Sequence, residues 1–213
     1  MMKKIFSLFT VLIIICVLSA SAQATSIFVN EIHYDNSGAD TNEGIEIAGH
    51  AGDDLSGWSI VLYNGANGSS YDTETLSNII PNQQNGFGTL FFSFPTIQNG
   101  APDGIALVDP GNTVVQFLSY EGVFTAIGGP ADGLTGTDIG VFESGTTPID
   151  FSLQLTGTGN VYADFTWSSP INSTYGAVNT GQTFTAPVPE PSTLFLLGSG
   201  LAGLIWVRKR LET

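Results

Sequence analysis

Gly104-Ile105-Ala106-Leu107-Val108-Asp109-Pro110-Gly111-Asn112-Thr113-Val114-Val115-Gln116-Phe117-Leu118 reads as a β-hairpin. Both arms are apolar or β-branched, which suits a pleated, half-buried surface. Pro110-Gly111-Asn112 supplies the turn between them. A second stretch follows the same logic. Asp53-Asp54-Leu55-Ser56-Gly57 forms a turn, capped by its two aspartates, that feeds Trp58-Ser59-Ile60-Val61-Leu62-Tyr63. On a strand, Trp58, Ile60 and Leu62 face one side, and Val61 and Tyr63 face the other. Working outward, strands are predicted at 27–34, 44–48, 58–64, 73–76, 89–94, 104–108, 114–119, 152–156 and 163–167. Asn64-Gly65, Asn67-Gly68, Asn85-Gly86 and Asn99-Gly100 are turn dipeptides between them. No stretch of this body combines helical periodicity with caps. The expectation is an all-β sandwich or barrel. The Gly-rich run 122–147 reads as a long loop with short extended pieces, and 183–187 as a linker.

The two ends differ from this body. Lys3 and Lys4 precede an apolar run over 5–18, and small residues follow in Ser19-Ala20-Ser21-Ala22-Gln23-Ala24. These are the three parts of a secretory signal, expected to be helical over 1–24 and removed by signal peptidase. Ala22-Gln23-Ala24 places the cut between Ala24 and Thr25. Ala20-Ser21-Ala22 also satisfies the small-residue rule, but the strand pattern begins at once after Ala24. An uncleaved anchor is the competing reading, and the apolar run is short for one. Cys16, the one cysteine, lies inside this segment. The mature chain therefore has no disulfide and no thiolate metal site.

At the other end, Val188-Pro189-Glu190-Pro191-Ser192-Thr193 leads into an apolar run and then Arg208-Lys209-Arg210. A transmembrane helix is expected over 192–207, with the basic cluster on the cytoplasmic side. Gly198, Gly200 and Gly203 suit close helix approach in lipid. The Pro-Glu-Pro motif, the apolar run and the basic end, in this order, resemble the PEP-CTERM sorting signal. That resemblance implies a Gram-negative, exopolysaccharide-producing bacterium. It also implies an exosortase, an integral-membrane cysteine peptidase that processes the tail near Val188, Pro189, Glu190 and Pro191. A plain tail anchor fits hydrophobic length and flanking charge as well. The organisation expected is signal peptide 1–24, one β domain 25–184, and a sorting tail 185–213.

Charge narrows what the body can touch. Of 19 acidic residues only Glu190 and Glu212 lie outside it, and all five Lys and Arg lie in the ends. The body thus holds 17 acids and no Lys or Arg, so nucleic acid and anionic membrane surfaces are repelled. Salt bridges to Lys or Arg within it are impossible, whereas cations such as Ca²⁺ are attracted.

The body also resembles a known family. Phe28-Val29-Asn30-Glu31-Ile32-His33-Tyr34-Asp35-Asn36 opens it, Glu43-Gly44-Ile45-Glu46-Ile47 follows, and Asp54-Leu55-Ser56-Gly57-Trp58 comes next. These resemble the bacterial lamin-tail domain, which implies an immunoglobulin-like β-sandwich. Asn99-Gly100-Ala101-Pro102-Asp103-Gly104 and Gln116-Phe117-Leu118-Ser119-Tyr120-Glu121-Gly122 resemble the version placed before secreted endonucleases. Gly44 stands where that family carries a large apolar residue, and Tyr175 where it often carries Pro. The first departure is expected to loosen one core contact. No nuclease domain follows.

Candidate chemistry is sparse. Glu31, His33 and Asp35 share a strand face. Glu31, Asp35, Asp40 and Glu43 are placed to ring a Ca²⁺. The competing reading is solvation and turn capping, and a glycosidase-like carboxylate pair is a more distant one. No other cofactor is expected. His33 and His50 lack a Cys or His companion at zinc spacing. No nucleophile elbow or phosphate loop occurs, so no enzyme is expected. Aromatics such as Trp58, Tyr63, Phe91, Phe92, Phe94 and Trp167 belong mostly to the core, with a few able to stack on sugar. The function expected is an exported, non-catalytic surface or matrix protein with a structural or adhesive role. Its expected partners are exosortase, signal peptidase, the inner membrane in transit, and exopolysaccharide or other surface proteins. The alternatives are a Ca²⁺- or carbohydrate-binding module, or an accessory domain for a secreted nuclease.

Overall fold

The computed structural model describes residues 26–186. The signal helix expected over 1–24, its cleavage site at Ala24 and Thr25, the sorting motif and the transmembrane helix expected over 192–207 lie outside the described residues. Among the described residues no helix is long and apolar enough to cross a membrane.

The strands are β1 Phe28–His33, β2 Gly44–His50, β3 Ser59–Asn64, β4 Ser70–Thr75, β5 Phe87–Ser93, β6 Asp103–Val108, β7 Val114–Tyr120, β8 Thr137–Asp138, β9 Phe151–Gly159, β10 Phe165–Trp167, β11 Ile171–Asn172 and β12 Gln182–Phe184. They build two sheets. One runs β10-β9-β1-β2-β5, with β11 and β12 also paired to β9; the other runs β4-β3-β6-β7-β8. Pairing is antiparallel except for β9 with β12 and β7 with β8. The expected all-β, two-sheet architecture is present.

The sheets face each other across one apolar core. Ile32, Ile45, Ile47, Leu153 and Leu155 of the first sheet pack with Ile60, Leu62, Ile105, Leu107 and Leu118 of the second. Each such side chain contributes about 1.5–3 kcal/mol by leaving water. The alternation expected along β3 holds. Ile60 and Leu62 enter this core, while Val61 and Tyr63 enter a second one on the opposite face. The two-residue spacing of the strand sends neighbours to opposite sides.

That second core was not legible in the Gly-rich run. The run is a loop, but its Phe124, Ala126 and Ala131 seal Val61, Tyr63, Ala106, Val108 and Phe117 from solvent. The Ala131 N–H donates to the Tyr63 hydroxyl at 3.0 Å. Gly129, at φ 65°, lies where a Cβ would come 2.5 Å from that hydroxyl. A side chain there would lift the cover off.

Turn chemistry follows the sequence closely. Asp109 Oδ1 accepts from the Gly111 and Thr113 N–H groups in the β6–β7 hairpin, and Asn112 adopts φ 61°. Asn85 and Gly86 both have positive φ, the requirement of a type I′ turn. Asp54 Oδ1 accepts from Ser56 N–H, and Asp53 Oδ2 from His50 N–H, as expected before Trp58.

Two expectations are corrected. Gln182–Phe184 is a strand, not linker: Phe184 is fully buried and stacks on Phe87 at 5.0 Å. The strand expected over 163–167 is shortened to Phe165–Trp167 by a single 3₁₀ turn, Tyr162–Asp164. β8 and β11, two residues each, carry too little pattern to be read in sequence.

Strand directions define two ends. β1 and β9 are antiparallel and β12 is parallel to β9, so Phe28, Gly159 and Phe184 share one end. We call this the tail end. His33, Gly44 and Phe151 mark the opposite, far end.

Candidate functional site

The outward face of the first sheet is polar yet buried. β1 and β2 place Glu31 opposite Glu46, and both are fully shielded by the segment 172–182. Ser152 Oγ donates to Glu31 Oε1 at 2.5 Å, and Thr174 donates its N–H to Oε1 and its hydroxyl to Oε2 at 2.9 and 2.8 Å. Glu46 accepts from Asn30 Nδ2 at 2.9 Å and from the Gly176 N–H at 2.6 Å. Asn179 Nδ2 donates to the Asn30 and Leu155 carbonyls, and Gln182 Nε2 donates to Asn30 Oδ1 at 2.7 Å. Buried polar groups of this kind must be satisfied, and almost every one here is.

With no Lys or Arg to pair with, burial makes the charged form of both carboxylates costly. Burial, then the neighbouring Glu31 charge, pushes Glu46 up to about 8. Burial raises Glu31 as well, against the pull of its Ser152 and Thr174 donors.

At the far end, His33 meets Glu143 from the Gly-rich run. His33 Nδ1 lies 2.9 Å from Glu143 Oε1, and both side chains are fully buried. Glu143 Oε2 also accepts the Tyr34 and Asp35 N–H groups at 2.6 and 3.1 Å. Burial opposes a charged imidazole, but the Glu143 carboxylate outweighs it and raises His33. The Glu143 N–H in turn donates to the Tyr34 hydroxyl at 2.8 Å. Glu143 is the important residue that the sequence did not single out: it stands 110 positions from His33, with no motif around it.

Of the four candidate Ca²⁺ ligands, Glu31 is drawn away from the other three. Glu31 spends its oxygens on Ser152 and Thr174 beneath the covering segment. Asp35 lies beyond the end of β1, raised by burial and then by Asp40. Glu43, pushed up to about 7 by burial and Asp40, is buried at the start of β2. Asp40 itself accepts from the Asn36 N–H and from Asn99 Nδ2. Among the described residues no three His, Cys, Asp or Glu converge as a metal site requires. Asp35, Asp40 and Glu43 therefore stay within one another's influence, while Glu31 is held apart beneath the covering segment. An open groove of ≈ 490 Å³ does lie at this end, lined by Asp35, Asn99, Glu121, Phe142, Glu143 and Ser144.

Gly44 and Tyr175 meet in one contact through Phe91. A Cβ on Gly44 would come 2.3 Å from Phe91 Cζ, so the missing side chain leaves room for the Phe91 ring. Tyr175 stacks on that ring at 4.1 Å. The contact expected to be loosened is refilled from β5 and the covering segment.

At the tail end, β12 delivers the chain to Thr185, whose N–H donates to the Gly159 carbonyl at 2.8 Å. This is an ordered two-sheet domain whose last strand runs directly into the C-terminal segment. Residues 187–210 match the PEP-CTERM protein-sorting motif. No curated protein and no solved structure matches the chain. The motif marks an exported protein, membrane-anchored before processing, and exosortase is the partner that recognises it.

Proposed function

We propose that this protein is a non-catalytic β domain displayed at the cell surface or in the extracellular matrix of a Gram-negative bacterium. Its role is structural or adhesive, toward exopolysaccharide or other surface proteins. The observation that carries this reading is the sorting motif beginning three residues after the last buried core residue, Phe184. The tail is thus appended to a finished domain whose far end points away from the point of attachment. A lamin-tail-like, immunoglobulin-like identity is part of the proposal. It is supported by the order in which the opening strand, the Gly44 strand and the Asp54–Trp58 turn enter the sandwich.

Mass spectrometry of the mature termini, after separating inner membrane, outer membrane and secreted material, tests it. A chain starting near Thr25, ending near Pro189 and found outside the inner membrane is expected. An intact Thr213 terminus confined to the inner membrane would refute display.

A carbohydrate-binding reading has one observation in its favour: Phe142 stands 61 % exposed over the far-end groove beside Asp35, Asn99 and Glu121. An aromatic face beside hydrogen-bonding groups suits a sugar ring. Loss of polysaccharide retention in affinity electrophoresis on Phe142→Ala is the expected sign.

A further inference from the structure

The tail end carries a small groove of ≈ 220 Å³ walled by Ile27, Val115, Val161 and Tyr162, with Gln116 among its lining residues. No charged side chain lines it. Tyr162 is held in place: its hydroxyl accepts from Trp167 Nε1 at 3.0 Å. Gln116 is half used. Its Oε1 accepts the Val29 N–H at 2.9 Å, while its buried Nε2 lies toward the Tyr162 hydroxyl without reaching hydrogen-bond geometry to any acceptor. A buried amide N–H without an acceptor costs about 1–3 kcal/mol. The groove therefore offers an incompletely satisfied amide donor beside an apolar, aromatic wall.

A proline-rich segment complements that chemistry. Its prolines carry carbonyl acceptors and no N–H, they hold an extended conformation at low entropic cost, and their rings pack on aromatic and aliphatic walls. This chain has such a segment within reach. Thr185 is hydrogen-bonded to Gly159, and Gly159 is two residues from Val161 in the groove wall. At about 3.3–3.6 Å per extended residue, five residues reach at most about 17–18 Å.

We propose that the tail-end groove receives Pro187-Val188-Pro189-Glu190-Pro191 of the same chain, with the Gln116 amide donating to one of its carbonyls. Docking there competes with exosortase for the same residues. The inference rests on the sorting reading only for what the segment is used for.

Disulfide trapping in the purified chain that keeps its C-terminal tail tests it, with Cys16→Ser in every variant so that no competing thiol is present. The V188C/V115C pair is expected to close at least tenfold faster than V188C/N82C, whose second site lies in the tail-end loop that contacts Phe184. Equal rates would mean mere tethering and overturn the proposal. A T25C/V115C pair that closes faster would assign the groove to the other end of the chain, and a crosslink between two molecules would assign it to a second copy; either overturns it. Q116E keeps the acceptor for Val29 but replaces the free donor with an oxygen. Measured in buffer where the variant is still fully folded, it should slow V188C/V115C closure about tenfold, and an unaffected rate refutes the role of Gln116. Trapping reads docking independently of export, so its failure leaves surface display standing, and failure of display leaves docking standing.

Discussion

Replacing Glu46 with Gln changes how the domain's stability responds to pH. In the folded chain the Glu46 carboxyl titrates near 8 because burial and Glu31 oppose its charge, while in the unfolded chain it titrates at the ordinary value of 4.5. The native state therefore binds the extra proton. Stability from this group is fully present below about pH 4.5 and is lost as pH rises through 8. Each unit of separation is worth 1.36 kcal/mol. Between pH 5 and pH 8 the loss assigned to Glu46 is about 3–4 kcal/mol, a large share of an ordinary domain's stability. The Gln variant removes that loss at a fixed cost. Its amide can accept from only one of Asn30 Nδ2 and the Gly176 N–H, so one hydrogen bond worth about 1 kcal/mol is given up at every pH. The two stability curves should cross: the variant is weaker by about 1 kcal/mol at pH 5 and stronger by about 2–3 kcal/mol at pH 8. Urea unfolding followed by tryptophan fluorescence at both pH values measures this. Parallel curves, with the same loss between pH 5 and 8 in both proteins, would refute the claim that Glu46 is buried with its proton.

Two further outcomes are expected. Phe184→Ala removes a ring packed against Phe87 and Phe165, and should cost about 3–5 kcal/mol in urea unfolding while exposing 172–184 to proteolysis ahead of the rest. Gly44→Ala drives a methyl into Phe91 and the Phe92 carbonyl, and should cost about 1–3 kcal/mol. Combining it with Phe91→Ala should recover part of that cost in a double-mutant cycle, because the ring clash goes and the backbone clash stays.

The strands of the two facing sheets were readable because each alternates or runs apolar between recognisable turns. Asn85-Gly86 and Asp109-Pro110-Gly111-Asn112 punctuate the chain by their own backbone preferences, with no help from tertiary contacts. What sequence could not supply is what covers the outer faces. Gln182-Thr183-Phe184 has no pattern of its own; it is a strand because β9 offers an edge and Phe87 and Phe165 offer a slot. Phe124, Ala126 and Ala131 are separated by glycines and small residues, so nothing marks them as one apolar patch until Val61 and Tyr63 sit beneath them. The acidic stretch near the start of the body was visible as a cluster, but its chemistry depends on partners far along the chain. Ser152, Thr174 and Gly176 turn Glu31 and Glu46 into sealed structural groups. Glu143 does the same to His33, and what remains of the proposed cation ring is Asp35, Asp40 and Glu43 alone.

The parallel pairing of β12 with β9 has a mechanical consequence. β12 runs toward the tail end, so a load carried between Phe184 and the far end would pull along the strand axis. The Gln182–Phe184 rungs would then share the force in shear instead of opening one after another like a zipper. Phe184, wedged between Phe87 and Phe165 at the last rung, would act as the stop against slippage. A domain held at one end and pulled at the other resists most when its final strand is fastened this way.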